Sequence, residues 1–158
     1  MKEMIKEMLG MQKVLDSAIY DGHGVEYDRS KTYLALIDEI GELNHELKAE
    51  WCWWKKTVKP LDNEKVLEEL VDCWHFALSI YYHEYPNFDW VLSHSHYIYM
   101  YKLKLQEVYC LIINEFQDDL ILDNMIALTE KLDFTMEDVY IAYKKKNEVN
   151  FNRLASGY

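Results

Sequence analysis

Residues 66–80 read "VLEELVDCWHFALSI", and this stretch decides the fold. Its apolar residues recur every three or four positions, the spacing of a helix and not of a strand. Asp62 is placed to cap the start of that helix, which is expected over about 63–84, and Pro86 and Asn87 punctuate its end. At about 100° per residue, with Glu69 set to 0°, Asp72 falls near ~300°, Phe76 near ~340°, Ile80 near ~20° and Cys73 near ~40°. Two carboxylates are therefore embedded in the apolar face of the helix.

The same arrangement stands one helix earlier. Residues 37–46 read "IDEIGELNHE" within a helix expected from Ser30 to Glu50, with Tyr33, Leu36, Ile37, Ile40, Leu43 and Leu47 as its apolar stripe. Glu39 and Glu42 are three apart and share a face that borders this stripe. Two solvated acidic faces are the plain alternative, but both pairs lie beside apolar stripes on consecutive helices. Four inward carboxylates repel one another and lose hydration. Hard divalent cations relieve both costs, and all-oxygen ligands suit Mg²⁺, which keeps room for water and phosphates. A rival reading is a di-iron bundle, from the acid-x-x-His pairs Glu42/His45 and Asp72/His75. It needs further inward glutamates, for which Glu107 and Glu115 are the candidates, and it sets His45 well away from the stripe.

The rest of the chain is helical in pattern. Residues 2–20 form an amphipathic helix through Ile5, Met8, Leu9, Leu15 and Ile19, broken by "DGHG" at 21–24. Residues 89–118 read as one long helix, and another is expected near 120–131. "FTMEDVY" opens the last, with Thr135 as cap and Glu137 and Asp138 in its first turn. Five glycines and two prolines in 158 residues leave few turns. The expectation is one all-α domain over residues 1–158, a bundle of five or six helices.

A net charge of -11 argues against nucleic acid or an anionic membrane as partner, though bound metal can still admit phosphates. No apolar run marks a secretion signal or membrane span. Cys52, Cys73 and Cys110 form no C-x-x-C and are expected as buried, reduced thiols in a cytoplasmic protein.

Against this background "EIGE" (39–42), "EELVDCWHFALS" (68–79) and "KNEVNFNRLASGY" (146–158) resemble the all-α nucleoside triphosphate pyrophosphatases. The similarity is greatest to dimeric dUTPases and related phage dCTP/dUTP pyrophosphatases. The tail pattern is the most specific part: Lys146, Asn147, Asn150, Phe151, Arg153, Gly157 and Tyr158. The resemblance implies that Glu39, Glu42, Glu69 and Asp72 hold two or more Mg²⁺ ions, and that Glu42 or Glu39 also orients the attacking water. It implies phosphate contacts from Lys146, Arg153, Lys55 and Tyr158, with residues 147–158 capping the substrate. Asn150 would bond near the sugar or phosphates. "MQKVLD" matches a base-reading motif through Gln12 and Asp16, although relatives often carry Asn where Asp16 stands, and a carboxylate only accepts. "WCWWKK" fits an aromatic-basic segment through Trp51, Trp54 and Lys55, while a one-residue shift selects Trp53. His75 and Phe76 would sit by the nucleoside, with core packing as their alternative. The implied activity is hydrolysis of dUTP, and of dUDP, to dUMP by a homodimer, with attack at the β-phosphorus. A dCTP or broader dNTP pyrophosphohydrolase is the first alternative, and a non-catalytic helical binding module the second.

Overall fold

The computed structural model describes residues 1–87, 89–114 and 118–157. Helices account for its regular structure: α1 (Lys2–His23), α2 (Arg29–Glu46), α3 (Lys48–Trp51), α4 (Asn63–Glu84), α5 (His94–Lys102), α6 (Leu105–Asn114), α7 (Ile121–Lys131) and α8 (Met136–Ala155), with a 3₁₀ turn at Asp118–Leu120. The class is all-α as expected. The described helices number eight and not five or six, and the differences have physical causes.

α1 runs through Asp21 to His23 and stops at Gly24, whose φ of 65° lies in the left-handed region and lets its N–H reach Tyr20 O. α2 ends at Glu46, short of the expected Glu50. Trp51 Nε1 folds back to donate to Asn44 O at 2.9 Å, and the one-turn α3 forms beneath it. Over its described part, the helix expected across 89–118 is divided into α5 and α6 by Leu103, whose backbone is extended. Lys131 of α7 donates to the carbonyls of Tyr101 and Leu103, satisfying the end of α5 from outside it. Glu107 accepts from Lys104 N at 2.7 Å and so caps the start of α6.

α4 is the axis of the fold. α2 packs along it, α1 and α7 flank it, and α8 lies against both α1 and α4. Trp74 is fully buried, and its Nε1 donates to Thr129 Oγ1 at 3.0 Å, tying α4 to α7. Asp123 of α7, 1% exposed, accepts from Trp90 Nε1 at 2.9 Å and Ser93 N at 2.8 Å. These bonds draw the connection before α5 onto the core, and burial pushes the Asp123 carboxyl upward. α8 starts in a capping box: Thr135 Oγ1 accepts from Asp138 N and the Asp138 carboxylate accepts from Thr135 N. The expected tail is thus helical as far as Ala155. Tyr158 and Glu115 lie outside the described residues. Cys52 and Cys73 are buried free thiols, but Cys110, on α6, is exposed and not buried as expected.

Candidate active site

α1, α2, α4 and α8 meet around one cleft of ≈ 300 Å³. Spacing of three along α4 puts Glu69 and Asp72 on one face, and α2 lays Glu39 opposite them. One carboxylate oxygen from each of Glu39, Glu69 and Asp72 lies within 4.8 Å of the other two. Such proximity has an electrostatic cost. Burial, then the charges of Asp72, Glu42 and Glu69, push the Glu39 carboxyl up to about 7. Burial, then the charges of Asp72, Glu42 and Glu68, raise Glu69, and burial raises Asp72 against the pull of Lys146. Glu42 stands further out on the exposed side of α2, bordering a shallow hollow with Glu69, Asp38, His45 and Glu46.

Lys146 of α8 reaches into the cluster, its Nζ 2.6 Å from Asp72 Oδ2 and 3.4 Å from Glu68 Oε1. Burial pulls the ammonium down, but Asp72 and Glu68 outweigh it and hold the lysine above its ordinary value. The donor set fits a divalent cation: three hard oxygens with excess negative charge, converging from two helices. Among the described residues the di-iron arrangement does not form. His45 is exposed and bonded to Lys48, Glu107 caps α6, and His75 turns to α1.

The other half of the cleft is built from α1, α4 and α8. Gln12 and Asp16 are one turn apart on α1, and both are buried although polar. Gln12 Oε1 takes the Tyr143 hydroxyl at 2.6 Å and His75 Nδ1 at 2.7 Å, while its Nε2 donates to Asp16 Oδ1 at 2.7 Å. Asp16 Oδ2 accepts from Ser79 Oγ at 2.6 Å and Tyr82 OH at 2.8 Å. The Tyr143 ring stacks on His75 at 4.2 Å between centroids. Burial and then the Lys146 charge drive the His75 imidazole down to about 3, so it is neutral at physiological pH. Phe76, Leu15, Ile19 and Leu154 give the cleft its apolar surface, and Asn150, Arg153 and His23 border it.

The structure thus brings Gln12, Asp16, Glu39, Asp72, His75, Phe76, Lys146, Asn150 and Arg153 to one cavity, with Glu69 in the adjoining cluster. It does not bring Trp51, Trp54 or Lys55 there. Trp51 lines a separate apolar hollow with Leu47, Leu105, Tyr109 and Ile113. Trp53 and Trp54 are 87% and 56% exposed, because the segment after α3 leaves the helical surface. Tyr143, Ser79, Tyr82 and His23 were not singled out in the sequence. Helical spacing held a signal for two of them: Ser79 is four positions after His75 and Tyr82 three after Ser79, which puts all three on one face.

The geometry can hold a divalent cation against a cationic side chain, beside a pocket with an apolar floor and a fixed set of hydrogen-bonding groups. Such an arrangement can take an anionic group at the metal end and an apolar or planar group at the other. Among known families, the sequence model described as dUTPase matches residues 4–158. No curated protein matches the chain.

Proposed function

The chain belongs to the dUTPase family, in its all-α type, and from that premise we propose that it hydrolyses dUTP to dUMP and pyrophosphate with Mg²⁺ bound at the acidic cluster. Membership makes it a nucleoside triphosphate pyrophosphohydrolase. The observation that carries the finer reading is the convergence, in a single cleft, of Glu39, Glu69 and Asp72 with Lys146 and the Gln12–Asp16–His75 wall. Mg²⁺ would be held by these three carboxylates and Glu42, and would neutralise the triphosphate and stabilise charge that develops on it.

The chain's own groups do the rest. Lys146, which is paired with Asp72, and Arg153 line the same cleft as the carboxylates, where they would neutralise phosphate oxygens the metal does not reach. Glu39 or Glu42 orients a water and takes its proton. Phe76 and the apolar residues of α1 cover the faces of the base. Residues 147–158 close the phosphate end, within one domain spanning 1–158. The resemblance extends the reading to dUDP, to attack at the β-phosphorus and to a cytoplasmic homodimer. Exposed Trp53, Trp54 and Leu34 offer apolar surface for a second copy, which would also bring the aromatic-basic segment and Lys55 to a site. Among the described residues no helix is long and apolar enough to cross a membrane.

The test is a substrate panel. Each deoxynucleoside triphosphate, and dUDP, is incubated with and without Mg²⁺, and products are separated by anion exchange. Monophosphate and pyrophosphate formed from dUTP only with metal support the reading, and Glu69→Gln or Asp72→Asn should abolish that turnover with helicity intact. No turnover of any nucleotide, or normal turnover by both variants, overturns it.

A further inference from the structure

The wall of the cleft that faces a bound base is wired so that it can only accept hydrogen bonds. Gln12 sets the wiring. An amide oxygen has no proton to give, so the Tyr143 hydroxyl and His75 Nδ1–H both donate to Gln12 Oε1. The carboxamide cannot flip without losing both bonds, and its Nε2–H is committed to Asp16.

Asp16 therefore receives three donors from the fold: Gln12 on one oxygen, Ser79 and Tyr82 on the other. A carboxylate offers about four lone-pair positions and no donor. One position remains, on a side chain that lines the cleft at 7% exposure. His75 ends the same way. With Nδ1–H given to Gln12, its Nε2 is a bare acceptor, buried and without a hydrogen-bond partner among the described residues. Any base edge that meets these two groups has to donate.

The pyrimidines differ on this point. Uracil has one edge donor, N3–H, between two carbonyl oxygens. Cytosine carries an exocyclic amine at position 4 and a bare acceptor at N3, so each base meets only one of the two groups with a donor: cytosine the charged Asp16 through its amine, uracil the neutral His75 Nε2 through N3–H. A carbonyl set against Asp16 meets oxygen with oxygen, whereas an amine makes a charge-assisted bond. Resting on the pyrophosphohydrolase reading, we propose that Asp16 makes the cytosine nucleotide dCTP a substrate at least as good as dUTP, by accepting a hydrogen bond from its 4-amino group. Uracil keeps a place in the pocket because its N3–H suits His75 Nε2. Gln12, Tyr143, Ser79 and Tyr82 act as positioning residues for this selectivity.

Selectivity is measured as the ratio of kcat/KM for dCTP to that for dUTP, and separately by equilibrium binding of dCMP and dUMP, which needs no chemistry. The wild-type ratio should be one or more. Asp16→Asn supplies an N–H where there was a lone pair, and should lower both ratios by on the order of tenfold or more, since an unpaired buried polar group is the penalty that discriminates. Should that variant fail to fold, N4,N4-dimethyl-dCMP against dCMP on the wild type asks the same question, with binding weakened by on the order of tenfold expected. Hydrolysis of dUTP without dCTP, ratios unchanged in Asp16→Asn, or equal binding of the dimethylated nucleotide overturns the proposal. Asp16-dependent binding of dCMP with no hydrolysis of either triphosphate would keep the Asp16–amine contact but overturn dCTP as a substrate together with the hydrolase reading.

Discussion

Glu39→Gln should make the metal-free protein more stable at pH 8 and change its stability far less at pH 5. In the fold the Glu39 carboxyl is raised from 4.5 to about 7 by burial and by Asp72, Glu42 and Glu69. Below pH ~4.5 it is protonated in folded and unfolded chains alike and contributes no difference. As pH rises toward 7 the unfolded chain releases the proton while the folded chain retains it, so stability falls; above 7 the full cost is present. At about 1.4 kcal/mol per tenfold in proton affinity the ceiling is about 3 kcal/mol. Water reaches the half-buried site and screens it, so about 2 kcal/mol is the working figure. Glutamine is neutral at every pH and escapes this cost. For a chain of this length 2 kcal/mol corresponds to about 4–8 °C in melting temperature. The assay is thermal unfolding by circular dichroism of both proteins in chelator at pH 5 and pH 8. The difference between them isolates Glu39, whereas a single curve does not, because His75, held down to about 3, titrates in the opposite sense. Mg²⁺ at about 100 times its Kd should stabilise the wild type at pH 8 by about 2.7 kcal/mol and close the gap. A variant that is less stable at pH 8, or displaced equally at both pH values, would refute the reasoning.

Three further outcomes are expected. Tyr143→Phe removes the 2.6 Å bond to Gln12, should cost about 1 kcal/mol in urea unfolding, and should raise KM more than it lowers kcat, because the freed carboxamide no longer orders the base wall; an unchanged KM counts against that wiring. Asp123→Ala strands Trp90 Nε1 and Ser93 N in the core and should cost about 2–3 kcal/mol by the same measurement, with a loss below 1 kcal/mol showing that these groups find other partners. Truncation after Asn150 removes Arg153 and Leu154, whose Cδ1 lies 3.3 Å from the position a Cβ on Gly22 would take. It should lower kcat/KM by on the order of tenfold or more with helicity kept, and unchanged kinetics would return the tail to a solvated helix end.

The helices that hold the site were legible because their signals are local. Asp62, Thr135 with Asp138, and the three-residue spacing of Glu69 and Asp72 act within a turn of themselves. The break between α5 and α6 was not, since its cause is Lys131, some thirty positions further along the chain. The turn into α3 was hidden for a similar reason: Trp51 has to be seen bonding back to Asn44. In the cleft, residue types and periodicity pointed to Gln12, Asp16 and His75, but not to what fixes them. Tyr143, Ser79 and Tyr82 read as ordinary core positions until a partner 63 to 131 residues away is known. Nothing local said that Glu42 would stand outside the tight cluster, or that the tryptophan segment would leave the cleft altogether.

The two halves of the cleft close chain loops of very different length. Glu39 meets Glu69 and Asp72 across roughly thirty residues, a short excursion for a flexible chain. Gln12 meets Tyr143 across 131 residues. By loop-closure entropy the longer closure costs about 1.3 kcal/mol more, and it gains nothing until α1 and α8 are both in place. The expected order of folding is that α2 and α4 pair first, so that the acidic cluster forms, without Lys146, before the base wall does. An early folding species would expose bare carboxylates, so a divalent cation present during refolding should speed that first pairing and leave the docking of α1 onto α8 as the slower step.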